Sequence, residues 1–426
     1  MPAAPNPNRG DISLDFHVAI IGGGITGINL ALGLQARKIP FTIYERAPAF
    51  GEIGAGIGFS PNAERAMVAI DPSILASFKA AANPNGEDYF QWVDGHDTES
   101  LLYKLYVGKD GFQGGLRSDM IDAWASLVKD PSSTVQFSKT ITTIDASSPS
   151  SPVTLHFTDG TTATASVVIG CDGIRSRVRQ LLLGEDSPSA HPHYTSKFCY
   201  RALVPMDRAI ETVGHAKATT RFMHNGPNAH VITYPVGNNR LLNVLAVLSD
   251  DEEWPDQSKH TAPGSKQEVL DAFASWGPTV RGIVGLMPEK MDKWALFDML
   301  EYPAESYHKG KVCIAGDAAH ATGPHLGAGG GMGIEDALVL SELLDGAARG
   351  VGSVERALEV YNELRYARTQ AVVKATRRAC LLFHWQVEEV GGDGAKFGKE
   401  ITPMFHKVWE YDVEKVVEDA LAKLEG

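Results

Sequence analysis

Short unbroken apolar stretches alternate with longer amphipathic ones along this chain. Residues 16–21, 41–44, the end of 161–170 (TTATASVVIG) and 312–315 are of strand length with little polar alternation, the pattern of strands covered on both faces. Between the first two runs the pattern becomes helical. Residues 117–128 (RSDMIDAWASLV) put Met120, Ile121, Trp124 and Leu127 on one side of a helix. Residues 134–170 read as a β-meander, with a Ser/Pro turn at 147–152 and an Asp159-Gly160 hairpin signal. Residues 194–248 alternate in four segments (KFCYRALVPM, TTRFMHNG, AHVITYPVG and LLNVLAVLSD), which predicts a second, largely antiparallel sheet. Residues 84–116 are mixed and turn-rich, 265–285 read as a helix, 293–300 as a strand and 335–426 as amphipathic helices that pack.

The turns after the apolar runs carry the chemistry. Gly22, Gly24 and Gly27 give G-x-G-x-x-G between a strand and a helix. The first permits a sharp turn, the second removes a Cβ from the path of a pyrophosphate, and the third lets helix pack close on strand. The helix N-terminus then offers free N–H groups to two phosphates. Glu45, at the end of the second strand, stands about 20 residues on, where an acid accepts bonds from ribose hydroxyls. This context predicts a dinucleotide site; the segment itself fits NAD or FAD. Gly22, Gly24, Gly27, Thr26 and Asn29 interrupt the 16–34 run, which excludes a membrane anchor. Four glycines at 51–58 precede a helix opening near Pro61, which suits a loop close to a ligand or a plain crossover. The strand ending at 170 runs into Asp172-Gly173 and the arginines 175, 177 and 179, candidates for phosphate contacts. The strand 312–315 ends in Gly316-Asp317, and a glycine-rich segment leads into a helix from about Glu335, which repeats the physics of the opening motif.

Composition narrows the classes. The 426 residues suffice for two joined lobes, and 43% hydrophobic with 21% charged residues describes a globular chain. A net charge of -13 without a basic run argues against nucleic acid or anionic membrane as partner. Four cysteines without a C-x-x-C pair favour a reducing compartment, read as the cytoplasm, and no metal site is expected. Residues 1–15 read as a flexible lead-in without the apolar core of a signal peptide.

Taken in order, the motifs at 22–27, 172–179 and 316–324 resemble those of the one-component (group A) FAD-dependent aromatic hydroxylases. The likeness is strongest to salicylate hydroxylase and to monooxygenases of polyketide phenols, and spans about residues 16–380. It implies an α/β, p-hydroxybenzoate hydroxylase-like fold: a discontinuous Rossmann-type FAD domain (16–80, 110–190 and 300–345), a β-rich substrate domain (81–109 and 191–299) and C-terminal helices (346–426). It implies tightly bound FAD, NAD(P)H as co-substrate and O2, with oxygen delivered to a phenolic ring from a flavin C4a-hydroperoxide.

Carried over by residue, the resemblance puts Gly22, Gly24 and Gly27 at the pyrophosphate, and Glu45 with Arg46 at the adenosine end. Arg117 would approach the flavin and Asp317 the ribityl chain. Pro324, Gly327, Ala328, Gly329 and Gly330 would lie beside the isoalloxazine ring. Asp172, Gly173 and Arg179 match a motif assigned to FAD and the pyridine nucleotide. Arg201 and Tyr234, read as sitting on neighbouring strands, are the candidates for holding an ionised phenol, with His325 near the flavin as a third. His320 reads as structural and His230 as a core residue. Ring hydroxylation, decarboxylating hydroxylation of a salicylate-type acid and hydroxylative dearomatisation of a resorcinol-type phenol all fit, in a monomer or homodimer. A nicotinamide-dependent dehydrogenase leaves 316–333 unexplained, and a non-catalytic flavin protein would lack substrate-stimulated turnover.

Overall fold

A computed structural model describes residues 12–426 except 14, 52–55, 109–110, 147 and 149–150. Most of the expected 1–15 lead-in, Gly54 of the glycine loop and part of the 147–152 turn therefore lie outside the described residues. The short apolar runs assemble into one six-stranded sheet in the order His308–Lys309, Val312–Ile314, Val167–Gly170, Val18–Ile21, Phe41–Tyr44, Val135–Gln136. All its pairs are parallel except the His308–Lys309 hairpin. Its central strands are buried on both sides, which is why their sequences carry no alternation.

The helix Ile25–Ala36 covers this sheet and crosses the long helix Gly329–Ala348 on small residues, an added Cβ at Gly33 falling 2.8 Å from Ser341 Cβ. The long helix begins at Gly329, six residues before the expected Glu335. Tertiary packing overrides the poor helix propensity of glycine here. Gly333 leaves room for Thr26, and Gly330 for Phe59; an added Cβ would stand 2.2 Å from Thr26 Oγ1 and 3.0 Å from the Phe59 ring.

A second sheet has eight strands, in the order Thr261–Ser265, Lys290–Asp298, His193–Pro205, Leu241–Ser249, Ala229–Val236, Phe222–Gly226, Tyr89–Asp94, Leu101–Tyr106. Its last two strands come from the stretch read as turn-rich, and Tyr89–Asp94 joins in parallel to Phe222–Gly226. The meander also differs from expectation. Residues 161–170 split at Ser166 into Thr162–Ala165, which completes a three-stranded antiparallel sheet, and Val167–Gly170, which enters the parallel one. The 265–285 segment is two helices, Lys266–Ala272 and Pro278–Gly285, interrupted before Pro278.

Register sorts the eight-stranded sheet into faces. Arg201, Leu245 and Ile232 lie opposite one another in one row, and Leu203, Asn243 and Tyr234 in the next. Residues so paired project to the same side. That side packs with Phe90, Trp92, Leu326 and Phe383, toward the nucleotide sheet. The other side, with Tyr200, Ala202, Val231 and Val244, is covered by Met206–Val213 and the two helices of 265–285. A small ribbon, Gly56–Phe59 with Gln113–Leu116, lies between the two large sheets, Gly56 N–H bonding Asn243 Oδ1 at 3.2 Å.

Candidate active site

The nucleotide side is built around Gly22, whose φ of +102° permits the turn off the first strand. A Cβ there would stand 2.5 Å from the Cys171 carbonyl, and one at Gly27 would stand 2.0 Å from the Gly22 carbonyl. Gly24 instead faces open space. Glu45 accepts the N–H of Gly23 at 2.7 Å and of Ala47 at 2.8 Å, so its carboxylate ties the glycine turn to the second strand, and Arg46 beside it is exposed.

Asp172 and Arg179 face inward. Asp172 accepts from Ser176 Oγ at 2.5 Å and from the N–H groups of Arg177 and Val178, capping the helix Arg177–Leu183. Burial nevertheless raises its carboxyl above the ordinary range. The fully buried Arg179 donates to the carbonyls of Ile174, Ala190 and Ala318. The expected phosphate grip of Arg179 is therefore a three-way backbone clamp, one arm of which fixes the residue after Asp317. Gly173 has a φ of +79° with open space around its missing side chain.

Asp317 opens the short helix Asp317–His320, and among the described residues no protein donor meets its carboxylate. The turn before it rests on buried charges. Asp336 accepts from Gly316 N–H at 2.9 Å, His320 Nε2 at 2.6 Å and Arg365 Nε at 2.7 Å. Arg365 also pairs with Glu335 at 2.7 Å, and Glu335 holds Arg368 and Asn62. The cationic partners hold both carboxyls below their usual range against the opposing effect of burial.

The loop Pro324–Ala328 lies over the open face of the eight-stranded sheet, Leu326 and Ala328 packing with Ile232, Tyr234 and Leu245. Phe112 fills the space beside Gly327, where a Cβ would stand 2.8 Å from its ring. Arg117 is half-buried at the start of the helix Arg117–Ala125. Arg201 lies 3.6 Å above the ring of Trp294. Its strand and that of Tyr234 are not neighbours, as the alternation had suggested, because Leu241–Ser249 runs between them. The two residues still share a face, one row apart. Burial raises the Tyr234 hydroxyl, while Arg221 and Arg201 pull it down.

His325 joins a buried histidine chain. Its ring centroid is 5.4 Å from that of His230, whose Nδ1 meets His384 Nε2 at 2.8 Å, and His384 Nδ1 meets Ser249 Oγ at 2.9 Å. Burial lowers all three, His325 to about 3, so they are neutral at ordinary pH.

A family model described as an FAD binding domain matches residues 15–376. The chain belongs to this FAD-binding family. It is 48% identical to the FAD-dependent monooxygenase orf3 of Aspergillus niger, across 96% of this chain and 97% of that one. It is 39% identical to the salicylate hydroxylase asL1 of Sarocladium schorii, across 94% and 89%. A solved salicylate hydroxylase substrate complex superposes with a TM-score of 0.83 at 30% identity, across 95% and 98% of the two chains. This FAD-binding chain is thus an FAD-dependent monooxygenase of the salicylate hydroxylase-like kind, with the mixed α/β fold and helical C-terminus that the motifs implied. Among the described residues no helix is long and apolar enough to cross a membrane.

Its residues fit FAD. Gly24 leaves open the approach to a helix N-terminus, Asp317 presents its carboxylate at a strand end, and the helix opening at Gly329 offers a second set of free N–H groups. What the sequence did not show is Arg221. Its segment, TTRFMHNG, reads as an ordinary strand. The structure buries its guanidinium over the rings of Phe112, Phe90 and Tyr234, at 4.2, 4.7 and 4.8 Å.

Proposed function

We propose that this monooxygenase uses NAD(P)H and O2 to hydroxylate a phenol held between the open face of the eight-stranded sheet and the loop 324–330. The observation that carries the reading is that Arg201 and Tyr234 share that face and that the charge of Arg201 acts on the Tyr234 hydroxyl. FAD, when bound, supplies the reductive activation of oxygen and its transfer to the ring.

The protein's part is to bind, orient and exclude water. Arg201, held flat by Trp294, stabilises the phenolate that makes the ring electron-rich, and Tyr234 donates its hydroxyl to the same oxygen. Ile232, Leu245, Leu326 and Phe112 form an apolar enclosure that keeps the ring dry and within reacting distance. With its basicity lowered to about 3, His325 serves as a neutral hydrogen-bonding wall rather than as the base that takes the phenol proton. Asp172 and Arg179 contribute by holding the turns around the nucleotide; Gly22, Gly24, Gly27 and Asp317 hold the cofactor itself. Ring hydroxylation, decarboxylating hydroxylation and dearomatisation differ in which ring carbon the pose presents.

The test is NADH and NADPH oxidation by the holoenzyme in air with a panel of salicylates and resorcinols, with product masses recorded. Stimulated oxidation with one oxygen gained supports the reading, and peroxide alone with every phenol refutes it. Arg201→Ala should raise KM for the responding phenol at least tenfold with FAD still bound; unchanged kinetics would remove Arg201 from the site.

A further inference from the structure

Arg221 is a buried cation without an acid. It is 9% exposed and sits just before the strand Phe222–Gly226 on the side that carries Arg201 and Tyr234. Its backbone N–H bonds Asn85, but among the described residues no protein acceptor meets its guanidinium, and its Nε is buried and unpartnered. The two wholly buried arginines do meet acceptors: Arg365 pairs with Glu335 and Asp336, with only its Nη1 left over, and Arg179 meets three carbonyls.

Aromatic faces offset part of the cost of burying a cation, but they leave its N–H groups without acceptors. The rings of Phe90, Phe112 and Tyr234 cover the guanidinium, and its Nη2 lies 3.3 Å from where a Cβ on Gly58 would stand and 3.6 Å from the one on Gly114. Glycines at both places keep that edge clear of side chains. A buried donor set of this kind is stable only when something supplies the acceptor. The acceptor must come from the face that Tyr234 shares, since Arg221 lies 4.8 Å from the Tyr234 ring and Tyr234 is one row from Arg201 on the same side of the sheet.

We propose that Arg221 is a second anion-binding point of the phenol site, taking an oxygen-bearing ring substituent, carboxylate or acyl, while Arg201 takes the phenol oxygen. This rests on the phenol-hydroxylating reading given above. Two strands lie between those of Arg201 and Arg221, so their backbones are about 14 Å apart at the usual strand spacing. Arg201 rests on Trp294 at one side of that span and Arg221 on Phe90 at the other, and a ring bearing two oxygen substituents would lie across the face between them. Two fixed points of this type also set the ring's rotation, and with it the carbon presented for oxygenation. A bare phenol, held at one point, would turn freely.

The experiment is a titration of the FAD-loaded protein with resorcinol, 2,4-dihydroxybenzoate and 2,4-dihydroxybenzaldehyde, followed by the perturbation of the flavin absorption spectrum. The unaltered protein should bind one or both substituted rings at least tenfold more tightly than resorcinol, the worth of one charge-assisted hydrogen bond. Arg221→Gln should reduce that advantage to less than threefold while keeping its FAD and its affinity for resorcinol. Arg221→Lys, which keeps the charge, should retain most of the advantage for 2,4-dihydroxybenzoate. An advantage that survives Arg221→Gln, or is absent from the unaltered protein, overturns the proposal. Loss of FAD from both variants also overturns it, because the cation would then serve the cofactor. A spectrum that responds to the rings while none of them stimulates NAD(P)H oxidation would instead overturn the phenol-hydroxylating reading.

Discussion

Replacing Arg365 by leucine should cost about 3 kcal/mol of folding stability and loosen FAD at the same time. Arg365 is wholly buried and bonds Asp336 Oδ1 and Glu335 Oε2, each at 2.7 Å. Removing one member of a buried charge cluster typically costs 3–5 kcal/mol, because the partners stay charged and lose their compensation. The lower end applies here. Asp336 keeps His320 and the Gly316 N–H, and Glu335 keeps Arg368 and Asn62. Because Asp336 also sets the Gly316 N–H, the strain should reach Asp317 and raise the Kd for FAD several-fold. Urea unfolding at fixed excess FAD gives the first number, as a lower midpoint at unchanged slope, and quenching of flavin fluorescence gives the second. Adding Asp336→Asn should restore part of the loss by removing one stranded charge. Stability within 0.5 kcal/mol of the unaltered protein, with FAD binding unchanged, would refute the idea that these charges pay for one another.

Two further outcomes are expected. His230, His325 and His384 have lowered folded values, so the unfolded chain binds more protons below about pH 6.5; stability should be level above that value and fall as pH drops toward about 3, and His325→Gln should flatten the slope in acid denaturation series. Gly24→Ala should leave the thermal midpoint of the apoprotein unchanged while weakening FAD, whereas Gly27→Ala, with its Cβ 2.0 Å from a carbonyl oxygen, should lower both; equal effects from the two would contradict the division of labour between them.

What could be read from the chain was whatever is local. The glycine turn at 22–27, the acid after the second strand and the helix at Arg117 are each written in a few adjacent residues, and periodicity suffices to place them. Strand order is not local. Arg201 and Tyr234 looked adjacent because their segments are similar, yet the strand 241–249, later in the chain, inserts between them. Arg179 shows the same limit for side chains. Three arginines after Asp-Gly suggest phosphate, and only the fold reveals that the last of them meets carbonyls from Ile174, Ala190 and Ala318. Arg221 was invisible because what marks it is a missing partner, and a missing partner has no signature in a string of letters.

The parallel pairing of Tyr89–Asp94 with Phe222–Gly226, and of Val167–Gly170 with Val312–Ile314, fixes an order of events at the ribosome. At ordinary translation speeds, each earlier strand waits on the order of ten seconds before its neighbour is synthesised. Neither sheet can close on a nascent chain shorter than about 70% of the whole, since Lys290–Asp298 and Val312–Ile314 arrive late. Both lobes must therefore mature together near the end of synthesis, with apolar edges waiting in the meantime. Production of this enzyme should accordingly depend more on chaperone capacity and on growth temperature than its composition would suggest.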